Sequence, residues 1–358
     1  MRVVAAAGSV FLGFLALFLS IWIVIPGPTP SLFVLTVGST ELWPIVALID
    51  GSICAVVFRC SAGPVRTASL ALALLALLLT AVPPIAYVIR GPAVPLRVFL
   101  GAADGTTVSV AAHVLRNGDI MYAPATREHA LPIVIAIYGG AWQRGSPRSD
   151  RLLNERIASW GYVVVAIDYP HAPRARWPSQ REAVLRALDW VRAHAAALDG
   201  DPSRIVLLGH SSGAQLALIV ASMREGAVRA VVTYESPVDL ELGYLHPSRP
   251  DIIHIQAILR NLCGAPPQLA MRCYRSASPL DVVRPGMPPV LMFAAGRDHV
   301  ADLGYERILR DRLRHLGVAV TYVELAWADH AFETVAYGFH NRIAMWYLHG
   351  FLSRMSSR

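Results

Sequence analysis

Lysine is absent from this sequence, and every one of its 32 non-histidine basic residues is arginine. Charged residues are scarce at 16%, while hydrophobic residues make up 54%. No arginine-rich run is interleaved with aromatic residues, which argues against a nucleic-acid-binding surface. This composition is too apolar for a purely soluble enzyme, and the net charge of +7 is compatible with attraction to an anionic membrane surface.

Acidic residues are almost missing from the first quarter of the chain, since residues 1–90 contain only Glu41 and Asp50. Within this region, residues 3–25 and 68–88 are uncharged and long enough to cross a bilayer. We therefore predict an N-terminal transmembrane region of about three helices over residues 1–90.

The middle stretch, residues 32–58, is less clear because both acids of the region lie in it. An ionisable group inside a membrane helix usually faces protein or water, so we expect Asp50 to pack against another helix. A functional role for Asp50 and Glu41 stays open, in which the N-terminal helices form a transport or sensing unit. If this stretch does not cross, the remainder of the chain is cytoplasmic.

The distribution of arginine indicates an orientation. Arg2, Arg59 and Arg66 mark the N-terminus and the second connection, whereas the first connection carries no charge. By the positive-inside bias the N-terminus is cytoplasmic, and three crossings place the chain after residue 90 outside. The first apolar stretch is too long for a cleaved signal peptide. We predict an integral protein of a bacterial inner membrane whose larger part is extracytoplasmic.

Cysteine is also rare, with four residues in the whole chain. Cys54 and Cys60 belong to the membrane region, and no cysteine has metal-site spacing with a nearby histidine. Cys263 and Cys273 lie ten residues apart, which is compatible either with a disulfide in an oxidising compartment or with two buried thiols. We expect neither a metal nor a cofactor.

After Gly118 the apolar pattern alternates between strands and helices. Leu131–Ile137 and residues 162–167 are continuous apolar, β-branched runs, typical of strands covered on both faces. Residues 179–198 show helical periodicity. Further strands are predicted at 205–208, 229–233, 289–295 and 318–325, and further helices at 213–223, 307–316 and 332–352. The alternation predicts an α/β fold with a mostly parallel, doubly wound sheet and ligands at the carboxyl ends of its strands.

The order of the predicted strands and helices also divides the chain into regions. Residues 91–117 are predicted to form a linker with the first edge strand, and residues 118–358 to form the α/β domain. Prolines, charges and two cysteines interrupt the alternation in segment 237–275. We expect this segment to be an inserted cap.

The most informative motif is Gly209-His210-Ser211-Ser212-Gly213, which follows a predicted strand and precedes a predicted helix. G-x-S-x-G in this context is typical of a nucleophile elbow, a tight turn that presents the serine hydroxyl at the sheet edge. Small residues at the flanking positions allow the turn. His210 is interpreted as part of the turn and not as a second base. No lysine follows, so a phosphate-binding loop is not indicated.

Residues 118–350 resemble α/β-hydrolases of the esterase/lipase group, which includes hormone-sensitive-lipase-like and feruloyl-esterase-like (BD-FAE) carboxylesterases. The matching motifs occur in the family's order: Tyr138-Gly139-Gly140-Ala141-Trp142; Asp168-Tyr169-Pro170 with Ala172-Pro173 and Trp177-Pro178; Asp199-Gly200-Asp201-Pro202-Ser203-Arg204-Ile205; Ser278-Pro279-Leu280; and Gly296-Arg297-Asp298-His299-Val300. The resemblance implies the α/β-hydrolase fold, preceded here by the transmembrane helical region.

An α/β-hydrolase carries its catalytic residues in the order Ser, acid, His. Ser211 is the predicted nucleophile and His330, in a loop after a predicted strand, is the predicted base. Asp298 is the predicted acid, which would hold the imidazole in one tautomer. Asp302 and Asp329 are its rivals, the first more suited to a helix cap and the second adjacent to the histidine in the chain.

The intermediate of acyl transfer needs backbone donors for its oxyanion. Gly140, Ala141 and Ser212 are the predicted donors, while Gly139 and Trp142 are predicted to contact the substrate. Trp177 and segment 237–275 could wall an acyl pocket. The motif departs from the family where Tyr138 replaces histidine, which leaves open how this loop is ordered.

Together these residues predict a membrane-anchored serine hydrolase that cleaves a small-molecule or lipid ester through an acyl-enzyme. An amidase or peptidase on the same triad remains open, because the sequence does not separate esters from amides. A catalytically inactive receptor or scaffold with this fold is the alternative of another class.

Overall fold

The computed structural model describes residues 2–99, 108–115, 118–125 and 130–356. Part of the predicted linker, residues 100–107 and 116–117, lies outside them. The chain forms two compact units. The first, here the helical unit, comprises Met1–Ala93, Ala295–His299 and Leu325–Arg342. The second, here the sheet unit, comprises Val94–Ala294, Val300–Glu324 and Ile343–Arg358.

The N-terminal part of the helical unit is entirely helical. Where the sequence predicts about three helices, the described residues up to 93 form five: α1 (Arg2–Ile21), α2 (Pro30–Glu41), α3 (Trp43–Cys60), α4 (Gly63–Leu79) and α5 (Val82–Arg90). Prolines sit in the first turns of α2 to α5, where a missing N–H costs nothing. Pro44 and Pro83 therefore divide stretches that hydropathy alone reads as single helices.

Among the described residues, two stretches are long and apolar enough to cross a membrane, Trp43–Cys60 and Gly63–Arg90. Ala6–Ile21 is a shorter apolar helix. Asp50 lies inside α3 and is fully buried, with Ser20 of α1 donating to its carboxylate at 2.5 Å. The acid is thus turned toward another helix, as expected for an ionisable group in an apolar helix.

The fold is α/β, as predicted. Within the described residues, eight strands form one sheet in the order β1-β2-β4-β3-β5-β6-β7-β8. The strands are β1 (Val110–Val114), β2 (Ile120–Pro124), β3 (Leu131–Ile137), β4 (Val163–Ile167), β5 (Gly200–His210), β6 (Ala230–Tyr234), β7 (Val290–Ala295) and β8 (Val320–Leu325). The β1–β2 and β2–β4 pairs are antiparallel, and β4, β3, β5, β6 and β7 run parallel.

The central strands are buried on both faces, which explains their continuous apolar sequences. Every residue of β4, β6 and β7 is buried, and β3 is buried from its second residue onward. Burial of both faces is what crossover helices impose on a parallel sheet. In the edge strand β8 only Val323 and Leu325 are buried. The pattern of burial thus identifies the central strands as the core.

Nine further helices of the described residues follow the transmembrane candidates: α6 (Arg151–Ser159), α7 (Ser179–His194), α8 (Ser212–Met223), α9 (Leu240–Leu245), α10 (Ile255–Cys263), α11 (Pro267–Ser276), α12 (Pro279–Val282), α13 (Leu303–His315) and α14 (Phe339–Ser356). Helices α9, α10 and most of α11 make up the predicted cap segment 237–275. The predicted helix at 332–352 begins instead at Phe339, after a short 3-10 turn at Phe332–Thr334.

Candidate active site

The predicted nucleophile elbow has a strained backbone, as the motif implies. Ser211 lies between β5 and α8 with φ +48° and ψ −118°, a conformation that L-residues rarely adopt. Its backbone N–H donates to the Tyr234 carbonyl of the neighbouring strand β6 at 2.8 Å. Strain of this kind persists only where the surroundings fix the backbone, and it clusters at functional sites.

The glycines of the motif are required by close backbone approach. A Cβ on Gly213 would lie 2.1 Å from the Ile137 carbonyl oxygen, and one on Gly209 would lie 2.3 Å from the Gly213 oxygen. Gly139 packs in the same way behind the elbow, since a Cβ there would lie 3.2 Å from the Ser211 Cβ. The loop after β3 and the elbow after β5 are therefore held directly against each other.

The predicted oxyanion loop follows β3. Ala141 and Trp142 both have left-handed backbone conformations, with φ of +54° and +58°. The Trp142 indole N–H donates to the Gln215 side chain in α8 at 3.1 Å, and Gln215 in turn donates to the Ala277 carbonyl at 2.6 Å. Trp142 is buried, and its hydrogen bond fastens the loop to the helix that follows Ser211.

Tyr138, which stands where the resembling family has histidine, orders this loop through its own hydrogen bonds. Its hydroxyl donates to the Asp168 carboxylate at 2.5 Å and lies 2.9 Å from His171 Nε2. The Tyr169 ring stacks on it with centroids 4.4 Å apart. The Tyr169 hydroxyl donates to the Tyr138 carbonyl at 3.1 Å and lies 3.3 Å from Ser212 Oγ. Tyr169 thereby links both backbone segments of the predicted oxyanion hole.

Both tyrosines of this network are neutral donors. Burial raises the pKa of Tyr138 far above its usual range, and the hydrogen bond to the Asp168 carboxylate raises it further. Burial likewise raises the pKa of Tyr169, and the hydrogen bond with Ser212 opposes that rise only in part. The loop is therefore ordered by hydroxyl groups whose protonation is constant over the working range of an enzyme.

A cavity of about 670 Å³, open to solvent, lies beside Ser211 in the sheet unit. Two of the predicted oxyanion donors, Ala141 and Ser212, line it together with Trp142. The lining does not include Gly139 or Gly140. Most other lining residues belong to the cap or its flanks, and the apolar ones are Pro237, Val238, Leu240, Ile253, Ile255 and Leu259.

The predicted cap, segment 237–275, contains a disulfide between Cys263 at the end of α10 and Cys273 in α11. Trp177 does not line the cavity. Its backbone N–H donates to the Leu262 carbonyl at 3.0 Å, and its indole N–H donates to Ser276 Oγ at 2.9 Å. Trp177 thus binds α10 and α11 through two hydrogen bonds and is not part of the cavity lining.

The helical unit contains the predicted acid and base as a hydrogen-bonded pair. Asp298 follows β7 and His330 follows β8. His330 Nδ1 lies 2.8 Å from Asp298 Oδ2, and the Asp298 side chain is fully buried. A buried carboxylate at this distance fixes the Nδ1–H tautomer, so that Nε2 is available to accept a proton.

The electrostatics of the pair favour a basic imidazole. Burial on its own acts to lower the pKa of His330, but the negative charge of Asp298 and its hydrogen bond outweigh burial, with smaller contributions from Glu333 and Asp329. The net pKa therefore lies above the ordinary value of 6.5. The carboxylate stabilises the imidazolium that forms when the base takes a proton.

The two rival acids have other partners. Asp302 accepts from Gly304 N at 2.6 Å as the N-cap of α13. Asp329 lies 2.5 Å from His299 Nδ1 and also accepts from the backbone N–H groups of His299 and His330 at 3.1 and 2.8 Å. His210 is buried and its ring stacks on Tyr234 with centroids 4.6 Å apart, within the elbow.

Sequence reasoning missed two groups of contacts. The order of the Tyr138 loop could not be read from the motif, because its partners Asp168 and His171 lie about thirty residues away. The acids of the helical region, which the sequence left open to a transport role, have structural partners: Asp50 binds Ser20, and Glu41 binds His340. No sequence signal links Glu41 to a residue about three hundred positions later.

The chain is similar to curated ester hydrolases of Mycobacterium tuberculosis. It is 29% identical to the probable carboxylic ester hydrolase LipM over 256 residues, which are 64% of this chain and 59% of that protein. It is 30% identical to the esterase LipQ over 254 residues, which are 63% of this chain and 59% of that protein. The chain thus matches about three fifths of the length of these relatives.

Solved structures show the same fold. A hyperthermophilic esterase from the archaeon Pyrobaculum calidifontis is 25% identical, with a TM-score of 0.58, covering 70% of this chain and 86% of that one. A thermostable carboxylesterase cloned from a metagenomic library is 23% identical, with a TM-score of 0.60 and coverage of 73% and 95%. These likenesses identify the sheet unit as an α/β-hydrolase fold.

A family model described as BD-FAE matches residues 119–313, more than half of the chain. This stretch contains the predicted oxyanion loop, the predicted elbow, the predicted cap and the predicted acid, while residues 1–90 fall outside it. The chain therefore belongs to the BD-FAE family of α/β-hydrolases.

Proposed function

We propose that this protein is a membrane-anchored serine hydrolase that cleaves carboxylic esters with the triad Ser211, Asp298 and His330. The observation that carries the proposal is the buried 2.8 Å hydrogen bond between His330 and Asp298. It orients one imidazole nitrogen and leaves the other for a nucleophile. The strained serine after β5 supplies that nucleophile, in the order along the chain that this fold uses.

In the first half of the reaction, Ser211 Oγ attacks the ester carbonyl carbon while His330 Nε2 removes the hydroxyl proton. The carbonyl oxygen becomes an oxyanion, which the backbone N–H groups of Gly140, Ala141 and Ser212 would stabilise. Removing one such donor typically raises the barrier by about 3–4 kcal/mol. The imidazolium then protonates the leaving alcohol, and the C–O bond of the ester breaks to leave an acyl group on Ser211.

In the second half, water attacks the acyl-enzyme. His330 takes a proton from the water, and the tetrahedral intermediate forms in the same oxyanion hole. Collapse of the intermediate expels Ser211 Oγ, which regains its proton from the imidazolium, and releases the carboxylic acid. Asp298 keeps its charge throughout and stabilises the imidazolium in both halves.

The cavity supports an ester with an apolar acyl or alcohol part. Its walls are mainly aliphatic, and its position beside Ser211 places any bound apolar group next to the nucleophile. The relatives named as ester hydrolases and esterases support an ester in preference to an amide.

A membrane location is supported by the helices of residues 2–90. Two stretches are long and apolar enough to cross a bilayer. If α1, α3 and the α4–α5 stretch cross, the end of α1 lies on the same side as everything after residue 90. The contacts of Ile23, just after α1, with Arg297 and Trp327 agree with this arrangement. Together with the arginine bias and the disulfide, they support an extracytoplasmic hydrolase.

The test uses the full-length protein in detergent with a fluorophosphonate probe and p-nitrophenyl butyrate. We expect probe labelling at Ser211 and ester hydrolysis in the wild type, and the loss of both in Ser211→Ala. The matched control is Ser203→Ala, which changes an exposed serine near the start of β5. A wild type that neither hydrolyses the ester nor reacts with the probe would favour the inactive receptor or scaffold.

A second measurement addresses the membrane and its orientation. Reporter fusions after residue 92 should be active on the extracytoplasmic side. A cytoplasmic reporter signal would contradict three crossings and leave the hydrolase inside the cell.

A further inference from the structure

Two side chains in the loops of the acid and the base reach the end of the first helix. Arg297, the residue before Asp298, donates to the Ile23 carbonyl and, at 3.0 Å, to the Val24 carbonyl. Trp327 in the other loop donates its indole N–H to the same Ile23 carbonyl at 2.9 Å. All of these residues belong to the helical unit.

The position of the two carbonyls explains these contacts. Ile23 and Val24 lie in the turn that follows α1, which ends at Ile21, and a buried backbone carbonyl outside a helix needs a donor from elsewhere in the chain. Ile23 is fully buried, so solvent does not satisfy its carbonyl. The planar guanidinium of Arg297 binds two carbonyls at once and lies over the Trp327 ring, 4.5 Å from its centroid. Helix end, guanidinium and indole thus form one cluster.

The two loops are also bonded to each other. Gly296 N donates to the Leu325 carbonyl at 2.8 Å, and Arg297 N donates to the Ala328 carbonyl at 2.9 Å. The Asp329 carboxylate accepts from the backbone of both loops, as described above. Movement of either loop away from α1 would therefore carry the other with it.

A second contact holds the segment that follows His330. Glu41, at the end of α2, is buried and accepts from the backbone N–H of His340 at 2.9 Å and from its Nδ1 at 2.6 Å. The next residue, Asn341, donates to the carbonyls of Glu333 and Val335, both at 3.0 Å. The ends of two N-terminal helices thus bind the chain on either side of the base.

We propose that Arg297 and Trp327 are positioning residues, which hold the Asp298–His330 pair in its reactive geometry by fastening both loops to the end of α1. This inference rests on the proposed function, because it assigns these residues a role in the hydrolysis. The N-terminal helices are then a working part of the active site as well as an anchor.

The test compares Arg297→Met with the wild type in full-length protein, using p-nitrophenyl butyrate. Misplacement of a catalytic group by about 1 Å costs on the order of 10²-fold in rate, so we expect kcat to fall by about that factor with KM within twofold. The charges that raise the pKa of His330 are those of Asp298, Glu333 and Asp329. Loosening the pair weakens the largest of them and lowers the pKa of His330, whereas loss of the Arg297 charge by itself would raise it. We expect the loosened pair to dominate, so that the acid limb of kcat/KM moves to lower pH.

Two variants sharpen the comparison. Arg310→Met is the matched control, because Arg310 also lies over an aromatic ring, Tyr322 at 4.9 Å, but in α13. We expect its kcat to stay within twofold of the wild type. Arg297→Lys should recover part of the lost kcat, since an ammonium group can bind one of the two carbonyls.

Where Arg297→Met does not fold, Trp327→Phe keeps an aromatic ring and removes the hydrogen bond to Ile23. It should lower kcat and move the acid limb in the same direction by a smaller amount. A folded variant with wild-type kcat and acid limb would overturn the proposal, as would a fall in kcat without any shift of the limb. A wild type that does not react at Ser211 overturns the proposed function, and this inference with it.

Discussion

The N-terminal helices and the sheet unit distribute their apolar side chains in opposite ways. Among the helices, large apolar side chains such as Phe11, Leu48 and Val88 are 66%, 72% and 82% exposed, while Ser20 and Asp50 are fully buried. In the sheet unit the central strands are apolar and buried. Water explains the second pattern, and a hydrocarbon solvent, as in the proposed membrane location, would produce the first. The comparison therefore supports the proposal that this one chain is adapted to two solvents.

Buried carboxylates occur in both regions, and their substitution separates catalysis from packing. Asp298→Asn should lower kcat by about 10⁴-fold, because the neutral amide cannot hold the reactive tautomer or stabilise the imidazolium. Asp50→Asn, the matched change in α3, should leave kcat within a few fold. Esterase kinetics measure kcat of both variants. An equal fall of kcat in the two would contradict a catalytic role for Asp298 that Asp50 does not share.

The wild type and Asp298→Asn should also differ in the pH dependence of their activity. A base with a raised pKa stays protonated, and so inactive, up to a higher pH. The acid limb of wild-type kcat/KM should therefore have a midpoint above 6.5. Without the carboxylate charge, burial is opposed only by the smaller contributions of Glu333 and Asp329, so the midpoint of Asp298→Asn should fall below that of the wild type. A midpoint unchanged by Asp298→Asn would show that another group controls the limb.

An aspartate placed on the exposed face of an N-terminal helix, and another on the exposed face of α13, test whether the two faces meet different solvents. Leu78, 69% exposed in α4, should tolerate aspartate poorly, at a cost of about 3 kcal/mol if its surroundings are lipid. Ile308, 48% exposed in α13, should tolerate the same change within about 0.5 kcal/mol. Membrane-fraction yield and thermal unfolding measure both. Similar tolerance at Leu78 would mean that water covers the helices.

The cap is expected to depend on its disulfide. Cys263→Ser removes the cross-link between α10 and α11, and a loop of this length is worth about 2–3 kcal/mol of unfolding free energy. Cys60→Ser changes an exposed free cysteine and serves as the control. Thermal unfolding should distinguish them. If Cys263→Ser unfolds at the temperature of Cys60→Ser, the bridge does not stabilise the cap.

A smaller effect on kcat than that of Asp298→Asn is expected in the predicted oxyanion loop. Tyr138→Phe keeps the ring but removes the hydrogen bond to the Asp168 carboxylate, at a cost of about 1.5–3 kcal/mol in stability. We expect kcat to fall several fold as the loop loosens. Tyr337→Phe, at a side chain that is 80% exposed, is the control. Unchanged stability and kcat in Tyr138→Phe would assign the ordering of the loop to Trp142 alone.

Local pattern was sufficient to predict most of the sheet. The continuous apolar run of β3 has the predicted bounds, Leu131–Ile137, because a strand buried on both faces leaves an unbroken signal. The predicted start of the last helix was wrong, since the helix begins at Phe339 and not at residue 332. Ala331 has a left-handed φ of +66°, which ends regular structure there and which no propensity indicates for alanine.

The sequence was sufficient to predict those parts of the candidate site in which the chemistry restricts the residue types. An elbow needs glycine at fixed positions, and a triad needs an acid and a histidine after particular strands. The supports of that site, such as Arg297 on Ile23 and Glu41 on His340, use ordinary residues far apart in the chain. The partners of these residues are set by the tertiary fold, so the local sequence pattern does not predict them.

The backbone of Ser211 has a consequence for the history of such a chain. A serine at φ +48° is conformationally unfavourable, and glycine would occupy the same position without that cost. A descendant that had stopped hydrolysing esters would therefore gain stability by this single replacement. Position 211 is where evolutionary decay of the activity should leave its earliest mark.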